Sequence, residues 1–244
     1  MGTTVCAAVA ADPSLELVAA VDPFSAGQQR EGVPVSDSLD AVTDAGAEVV
    51  VDFTVAAAAR STLSWIAAHG LHAVVGTTGF STEDLEAFRS AFNRSNCLIA
   101  ANFAIGAVLM MRFAEVAAPF FDTAEIIEMH HDAKQDAPSG TAVVTAQRMA
   151  AARPEAWAPD PTTHEVYPGA RGGEGPSGIR VHSVRMRGMV ASQEVILGTT
   201  GQTLVLRHDS FDRASFMPGV ILACQRIGAH GDRFTLGLEP LLGL

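Results

Sequence analysis

Short β-branched runs alternate with helical segments from residue 15 to about residue 130, and this alternation restricts the fold more than any other feature. Strands are predicted at residues 15–21, 48–53, 72–75 and 97–102, and helices at residues 38–45, at residues 56–69 and from Ser81 onwards. The strands are almost continuous apolar runs, which is typical of parallel strands that are buried on both faces. The sequence therefore predicts an α/β fold with a doubly wound parallel sheet.

The pattern changes after residue 104 and returns near residue 214. A helix, a strand and a second helix are predicted at residues 105–121, 124–131 and 141–152, followed by a Pro- and Gly-rich loop at residues 153–178. The segments "GIRVHSVRMRG", "SQEVILG" and "QTLVLRHD" then predict an antiparallel meander. Finally, "SFMPGVILACQRI" predicts a helix and "FTLGLEPLL" a last strand.

These changes predict two domains. The first is a nucleotide-binding type of domain made of residues 1–104 and 214–244. The second, residues 105–213, is an α+β domain with an antiparallel or mixed sheet.

The charge balance bears on the kind of partner. The chain has 244 residues with 16 basic and 27 acidic side chains, which gives a formal net charge of −11. No cluster of Lys or Arg stands out, and a negative surface repels nucleic acids and anionic membranes. We therefore expect a small-molecule partner, with neither nucleic acid nor membrane.

Cysteine usage and hydropathy indicate the compartment. Cys6, Cys97 and Cys224 are far apart and form no C-x-x-C pair, so neither a disulfide framework nor a zinc site is predicted. No apolar run approaches the roughly 20 residues of a transmembrane helix. We expect a cytoplasmic protein.

Ligands of open parallel sheets bind beyond the carboxyl ends of the strands, so the residues at those ends are candidates. Asp22 directly follows the predicted strand at residues 15–21. An acidic residue at this position either accepts hydrogen bonds from the hydroxyl groups of a ribose or is a solvated turn residue. The turns "GTTG" at residues 76–79 and "AANF" at residues 100–103 follow two further strands. Their small residues allow a ligand to approach the backbone closely, although Gly and Thr are also ordinary turn formers.

The stretch "EMHHDAKQDAPSGTA" at residues 128–142 contains the highest density of reactive groups. His130, His131 and Lys134 can transfer protons, and the N–H groups at the start of the next helix, at Gly140 and Thr141, can stabilise a carboxylate. A catalytic histidine is favoured over a structural one. A metal site is disfavoured, because adjacent residues of a strand face opposite sides and no third ligand has suitable spacing.

Several long motifs occur together in one order. They are "VVDFT" from residue 50, "VVGTTGF" from residue 74, "IAANFAIGAVL" from residue 99, "HHDAKQDAPSGTA" from residue 130, "GARG" from residue 169, "VHSVRMRGMVASQEV" and "RHDSFDRASFMPGV". Together they resemble the 4-hydroxy-tetrahydrodipicolinate reductase family, also called dihydrodipicolinate reductase, of bacterial diaminopimelate and lysine synthesis. The resemblance covers essentially the whole chain, and "VASQEV" and "GLEPLL" resemble the actinobacterial branch.

The resemblance implies an NADH- or NADPH-dependent reduction of a dicarboxylate substrate. It implies that His130 is the acid/base residue, that Lys134 donates a proton, and that the substrate carboxylates contact His131, Ser139, Gly140 and Thr141. It also implies a ribose-binding role for Asp22. The residues implied to contact the nicotinamide half of the cofactor are Gly76, Thr77, Thr78, Ala100, Ala101, Asn102 and Phe103.

Two further expectations come from the resemblance. It implies a homotetramer that forms through the sheet of the second domain, residues 105–213. Asp132 and Ala133 differ from the residues that are commoner inside the H-H-x-x-K motif, and an inward-pointing Asp132 would weaken binding of a dianion. We expect its loop position to expose it to solvent instead.

The first residues raise a question about the cofactor. Residues 2–11 predict a helix, whereas in the family a strand and a glycine-rich phosphate-binding loop precede that helix. We therefore expect roughly ten residues to be missing, about one strand and a tight loop. On this basis we predict weak or absent binding of NADH by this chain. The alternative to an active reductase is a cofactor-deficient form that keeps the substrate and oligomerisation domain without catalytic activity.

Overall fold

The computed structural model describes all 244 residues, which divide into two compact units. Unit 1 comprises residues 1–104 and 213–244, and unit 2 comprises residues 105–212. None of the helices has the length and hydropathy that a membrane span requires.

Helices and strands alternate along most of the chain. Up to residue 104 they are α1 (Gly2–Ala11), β1 (Ala20–Val21), β2 (Gln29–Arg30), β3 (Val33–Ser36), α2 (Asp40–Asp44), β4 (Val49–Asp52), α3 (Ala56–His69), β5 (His72–Val75), α4 (Thr82–Ala91) and β6 (Cys97–Ile99). Unit 2 contains α5 (Ile105–Ala117), β7 (Thr123–His130), α6 (Gly140–Ala152), β8 (Gly173–Glu174), β9 (Arg180–Arg185), β10 (Ala191–Thr199) and β11 (Gln202–Ser210). The chain ends with α7 (Met217–Ile227), β12 (Phe234–Leu236) and α8 (Glu239–Leu242).

Local sequence signals set several of these boundaries. Gly70 ends α3 in the left-handed conformation, with φ of 71°, as the sequence predicts. Ser81 begins α4 with a capping box: its hydroxyl accepts from the N–H of Asp84, and the Asp84 carboxylate accepts from the N–H of Ser81. Both helix ends are therefore stabilised by residues within one turn of them.

The strands of unit 1 form two sheets rather than one. The first has the order β12-β6-β5-β4 with all neighbours parallel, and the second has the order β1-β3-β2. Since β1 and β4 are not paired, the predicted single sheet is divided between them. The predicted strand at residues 15–21 shortens to β1 because only Ala20 and Val21 find hydrogen-bonded partners, on β3.

Helices cover both faces of the larger sheet in unit 1. Ala73 and Val75 of β5 pack with Leu63 and Ile66 of α3 and with Phe88 of α4. Val74 points to the opposite face by strand alternation and is also fully buried, and α7 contacts β5. This arrangement is the predicted doubly wound α/β class, and it brings the carboxyl ends of β4, β5 and β6 to one edge.

Unit 2 contains a mixed five-stranded sheet with the order β11-β10-β7-β9-β8. The predicted meander of three consecutive antiparallel strands is wrong, because β9 lies beside β7 and parallel to it. Of the three strands predicted for the meander, only β10 and β11 form an antiparallel hairpin, and β7 separates them from β9 since it pairs along both of its edges. The alternative of a mixed sheet is confirmed. The predicted loop at residues 153–178 also contains β8, which pairs with β9.

Prolines account for two further differences from the sequence-based elements. The predicted helix at residues 105–121 ends at Ala117 and continues as a 3₁₀ turn that contains Pro119. The predicted strand "FTLGLEPLL" is instead β12 followed by α8, with Pro240 in the first turn of α8. A proline cannot donate to a strand ladder, but it is well tolerated at the start of a helix.

We predict that Gly219→Ala destabilises unit 1. A β-carbon at Gly219 of α7 would lie 2.1 Å from the carbonyl oxygen of Phe103, a backbone atom that cannot rotate away. Overpacking of this kind costs about 1–3 kcal/mol, measurable as a lower free energy of unfolding in urea. Gly228→Ala is the matched control, because Gly228 has helical angles and a β-carbon there would be 3.6 Å from its nearest atom. Equal stability of both variants would contradict the prediction.

Candidate active site

Strand β7 carries the first histidine of the H-H-x-x-K motif into a partly buried position. Ala124, Ile126 and Glu128 alternate with more exposed residues and are buried, so they share one face of the strand, and His130 continues that face. His131 follows the last residue of β7 and is exposed. The two adjacent histidines therefore have different environments.

A carboxylate holds the ring of His130. Its Nδ1 lies 2.6 Å from Oε2 of Glu128. Burial lowers the pKa of His130 below its ordinary value, and the negative charge of Glu128 opposes that shift. Because a carboxylate can only accept a hydrogen bond, Nδ1 carries the hydrogen of this contact. Nε2 is then the ring atom that remains to exchange a proton with a ligand.

Glu128 is fully buried, at 0% side-chain exposure. Arg185 of β9 donates from Nη1 to Oε2 and from Nη2 to Oε1, each over 2.8 Å. Burial alone would raise the pKa of Glu128, but the hydrogen bonds from Arg185, Ser183 and His130 lower it below the ordinary range. The carboxylate is therefore charged at neutral pH and neutralised by a bidentate arginine.

The start of α6 is held by the same carboxylate. The backbone N–H of Ser139 donates to Oε1 of Glu128 over 3.2 Å, and the hydroxyl of Ser139 caps the helix by accepting from the N–H of Ala142. Gly140 is exposed, and Thr141 follows it in the first turn. His130 and Ser139, both predicted site residues, therefore contact the same buried carboxylate, that of Glu128.

Two charged pairs involve the loop between β7 and α6. Nζ of Lys134 donates to both carboxylate oxygens of Asp136 over 2.8 Å. This contact lowers the pKa of Asp136 below its ordinary value. Asp132 is exposed and pairs with Arg187 at 3.0 Å. Asp132 therefore does not point inward, in agreement with the expectation for its loop position.

At the strand ends of unit 1, a second buried carboxylate fixes the "GTTG" turn. Asp52, the last residue of β4, accepts from the hydroxyl of Thr77 over 2.6 Å. The same oxygen, Oδ1, accepts from the N–H and the hydroxyl of Thr54. The turn after β5 is therefore tied to the neighbouring strand end at Thr77, while Thr78 beside it is exposed.

An aromatic ring lies directly over Gly76. A β-carbon at this position would be 2.0 Å from the ring of Phe53, so no larger residue fits without displacing that ring. Phe53 also packs on buried Phe103, with ring centroids 5.5 Å apart. Ala100 is buried and bonded to β5, Ala101 is exposed, and the side chain of Asn102 accepts from the N–H of Ala104. The predicted cofactor residues that follow β5 and β6 thus lie beside one another at one sheet edge.

Asp22 follows β1 and is exposed. Its carboxylate accepts from the N–H of Phe24 over 2.9 Å and from the hydroxyl of Ser25 over 3.1 Å. These contacts are those of a turn residue, and the position is the strand end where the sequence predicts a ribose-binding acid. No group of three or more His, Cys, Asp or Glu side chains in the molecule has a geometry that could hold a metal ion.

Four residues that organise the strand ends of unit 1 and the surroundings of His130 in unit 2 were not predicted from the sequence. They are Asp52, Phe53, Glu128 and Arg185. A signal existed for Glu128, since a residue two positions before His130 on a strand shares its face. No local signal existed for Arg185, because its place beside His130 depends on the pairing of β7 with β9.

Family models match nearly the whole chain. The model described as "Dihydrodipicolinate reductase, N-terminus" matches residues 1–103, and that described as "Dihydrodipicolinate reductase, C-terminus" matches residues 106–242. A curated relative from Nocardia farcinica, named 4-hydroxy-tetrahydrodipicolinate reductase, is 50% identical over 100% of this chain and 95% of its own length. One of the same name from Thermobifida fusca is 54% identical over 81% of this chain and 82% of its own length.

A solved structure is also similar over almost the full chain. Dihydrodipicolinate reductase from Paenisporosarcina sp. TG-14, bound to dipicolinate, has a TM-score of 0.87 and 38% identity, with 98% of this chain and 94% of that chain covered. The family models and the relatives agree with the motifs in identifying the same family. The chain therefore belongs to the dihydrodipicolinate reductase family.

Proposed function

We propose that this chain reduces 4-hydroxy-tetrahydrodipicolinate to tetrahydrodipicolinate with NADH or NADPH, in diaminopimelate and lysine biosynthesis. The observation that carries the proposal is the contact of His130 with buried Glu128, which also binds the start of α6. A ring that can exchange protons is thereby held near N–H groups that suit a carboxylate. The relatives that match the full chain are named for this activity, so the cofactor-deficient alternative is not favoured.

The substrate is a dianion, and unit 2 offers cationic and N–H groups for its carboxylates. His131 and Lys134 supply side-chain donors, and Ser139, Gly140 and Thr141 form the first turn of α6 with its positive dipole end. Lys134 is paired with Asp136 in this structure. A substrate carboxylate must therefore compete with Asp136 for the ammonium group.

His130 and Lys134 are the proton-transfer groups of the proposed reaction. A bound nicotinamide would supply a hydride. The 4-hydroxyl group of the substrate leaves as water, and hydride addition leaves an electron-rich centre that takes up a proton. Lys134 donates that proton, and His130 acts as the acid/base residue through Nε2, since Glu128 occupies Nδ1. Partial burial of His130 makes its charge state sensitive to the groups around it.

The proposed cofactor site is the edge formed by the strand ends of unit 1. The ring of Phe53 and the close backbone at Gly76 suit a flat ring, and Asp22 suits a ribose hydroxyl. The remaining residues proposed to contact the nicotinamide half are Thr77, Thr78, Ala100, Ala101, Asn102 and Phe103.

The proposal extends to assembly and location. A homotetramer that forms through the sheet of unit 2 would cover the open edge of β11, which pairs only with β10. A cytoplasmic location agrees with three unpaired cysteines, of which Cys97 and Cys224 are buried.

We predict that His130→Gln lowers turnover by about 100-fold to 10,000-fold, the usual contribution of a positioned acid or base. The rate is measured from the loss of reduced nicotinamide absorbance with the purified protein. Affinity for NADH should be unchanged, because His130 is not among the proposed cofactor residues. His182→Gln is the matched control, since His182 also contacts a carboxylate, that of Glu125, at 2.7 Å. Wild-type turnover in His130→Gln would refute the assignment.

Titration calorimetry with NADH separates the active reductase from the cofactor-deficient alternative. The active reductase requires a dissociation constant in the range of ordinary Michaelis constants, about 1 μM to 1 mM. We expect a value in that range, given the named relatives. Such a value would overturn the sequence-based prediction of weak or absent binding. No measurable heat would support the alternative and overturn the proposed activity.

We predict that Asp136→Asn strengthens binding of dipicolinate by up to about fivefold, the effect expected of an exposed ion pair. Asp136 is 67% exposed and neutralises Lys134, so its removal frees the ammonium group for a ligand carboxylate. Asp132→Asn is the control, because Asp132 pairs with Arg187 instead. The affinities are compared by calorimetry at low and high salt. Unchanged or weaker binding in Asp136→Asn would show that the pair does not compete with the ligand.

A further inference from the structure

We propose that Glu128 is a positioning residue for His130: it fixes which ring nitrogen carries the hydrogen, and Arg185 holds it in place. The inference rests on the proposed function for its catalytic meaning. Its geometry stands independently, in the contacts that converge on one fully buried carboxylate.

The contacts of Glu128 use both of its oxygens. Oε2 faces Nδ1 of His130 at 2.6 Å and Nη1 of Arg185 at 2.8 Å, and Oε1 accepts from Nη2 of Arg185 and from the N–H of Ser139. An arginine stays protonated at any pH that a protein tolerates, so the carboxylate is always matched by a positive charge. Nδ1 must then be the donor toward Oε2, which leaves Nε2 for the substrate.

Glu128 and Arg185 also fix the segment that joins β7 to α6. Nη2 of Arg185 donates to the carbonyl oxygen of Asp136 over 2.7 Å, while Oε1 of Glu128 accepts from the N–H of Ser139. The segment that carries Lys134 is thereby held at its distal end, and His130 is held at its proximal end. Glu128 and Arg185 therefore connect the two groups of residues proposed to act on the substrate.

The charged groups that act on His130 come from three elements. Glu128 on β7 favours the imidazolium, and Lys134 in the loop and Arg185 on β9 disfavour it. On β10, which pairs along the other edge of β7, the residue opposite His130 is Ala191, which carries no charge. Removing the charge of Glu128 therefore leaves only groups that disfavour the imidazolium, so the titration of His130 moves to lower pH.

The test is Glu128→Gln, with two readouts. Proton NMR of the imidazole ring gives the titration midpoint of His130, whose signal is identified by its loss in His130→Gln. We expect the midpoint and the His130-dependent limb of the rate profile to move to lower pH. We expect kcat to fall by about 10-fold to 100-fold with KM changed less, by analogy with partners that orient a metal-ligating histidine.

Glu125→Gln is a matched control on the same strand. Glu125 also contacts one arginine and one histidine, Arg171 at 2.5 Å and His182 at 2.7 Å, and it lies on the opposite face of β7. This variant should leave the titration of His130 unchanged. An equal shift in both variants would overturn the inference, because it would show a general effect of charge.

Glu128→Asp keeps the proposal testable if Glu128→Gln does not fold. The shorter side chain retains a charge for Arg185 but withdraws its oxygen from Nδ1 of His130. The positioning role predicts a shift of the His130 titration to lower pH, whereas a role limited to neutralising Arg185 predicts none. A wild-type titration of His130 in the folded Glu128 variants overturns the inference. Absence of reductase activity in the wild type overturns the proposed function instead, and the NMR titrations still decide the role of Glu128.

Discussion

The arrangement of unit 2 depends on one buried charge, the carboxylate of Glu128. Burying an unpaired carboxylate costs several kcal/mol even after relaxation, so its partners must be in place whenever the unit is folded. Those partners are Arg185, His130, Ser183 and the backbone N–H of Ser139. The need to satisfy one carboxylate therefore determines where a strand end, a helix start and a neighbouring strand meet, and this is the place where the family motif lies.

Unit 1 uses a similar device at its strand ends. Asp52 is 3% exposed, and its Oδ1 accepts three hydrogen bonds from Thr54 and Thr77. The ring of Phe53, next in the chain, lies where a β-carbon of Gly76 would be. The backbone after β5 is therefore held against the end of β4 both by hydrogen bonds and by a ring that only glycine accommodates. The proposed cofactor site would therefore need little reorganisation to bind a flat ligand.

Sequence reasoning succeeded where the determining residues are close in the chain. Gly70 and Ser81 mark helix ends through their own conformations and contacts, and the motif from His130 to Thr141 spans a strand end and the helix start that follows it. It failed where the pairing of strands decides which residues come into contact. Arg185 reaches Glu128 across 57 positions because β9 lies parallel to β7, and the meander pattern gave no sign of that order. Periodicity identifies strands but not their neighbours.

The segment "EIIE" in β7 shows why burial has to be known before a role can be assigned. Glu125 and Glu128 each contact one arginine and one histidine, so their partners are chemically alike. Their spacing of three places them on opposite faces of the strand, and Glu125 is 33% exposed while Glu128 is 0% exposed. Water screens the charges around Glu125. The charges around Glu128 interact through the protein interior, where the same contacts have a stronger electrostatic effect on a histidine. The face of the strand, rather than the identity of the residues, therefore distinguishes a surface ion pair from a group able to control His130.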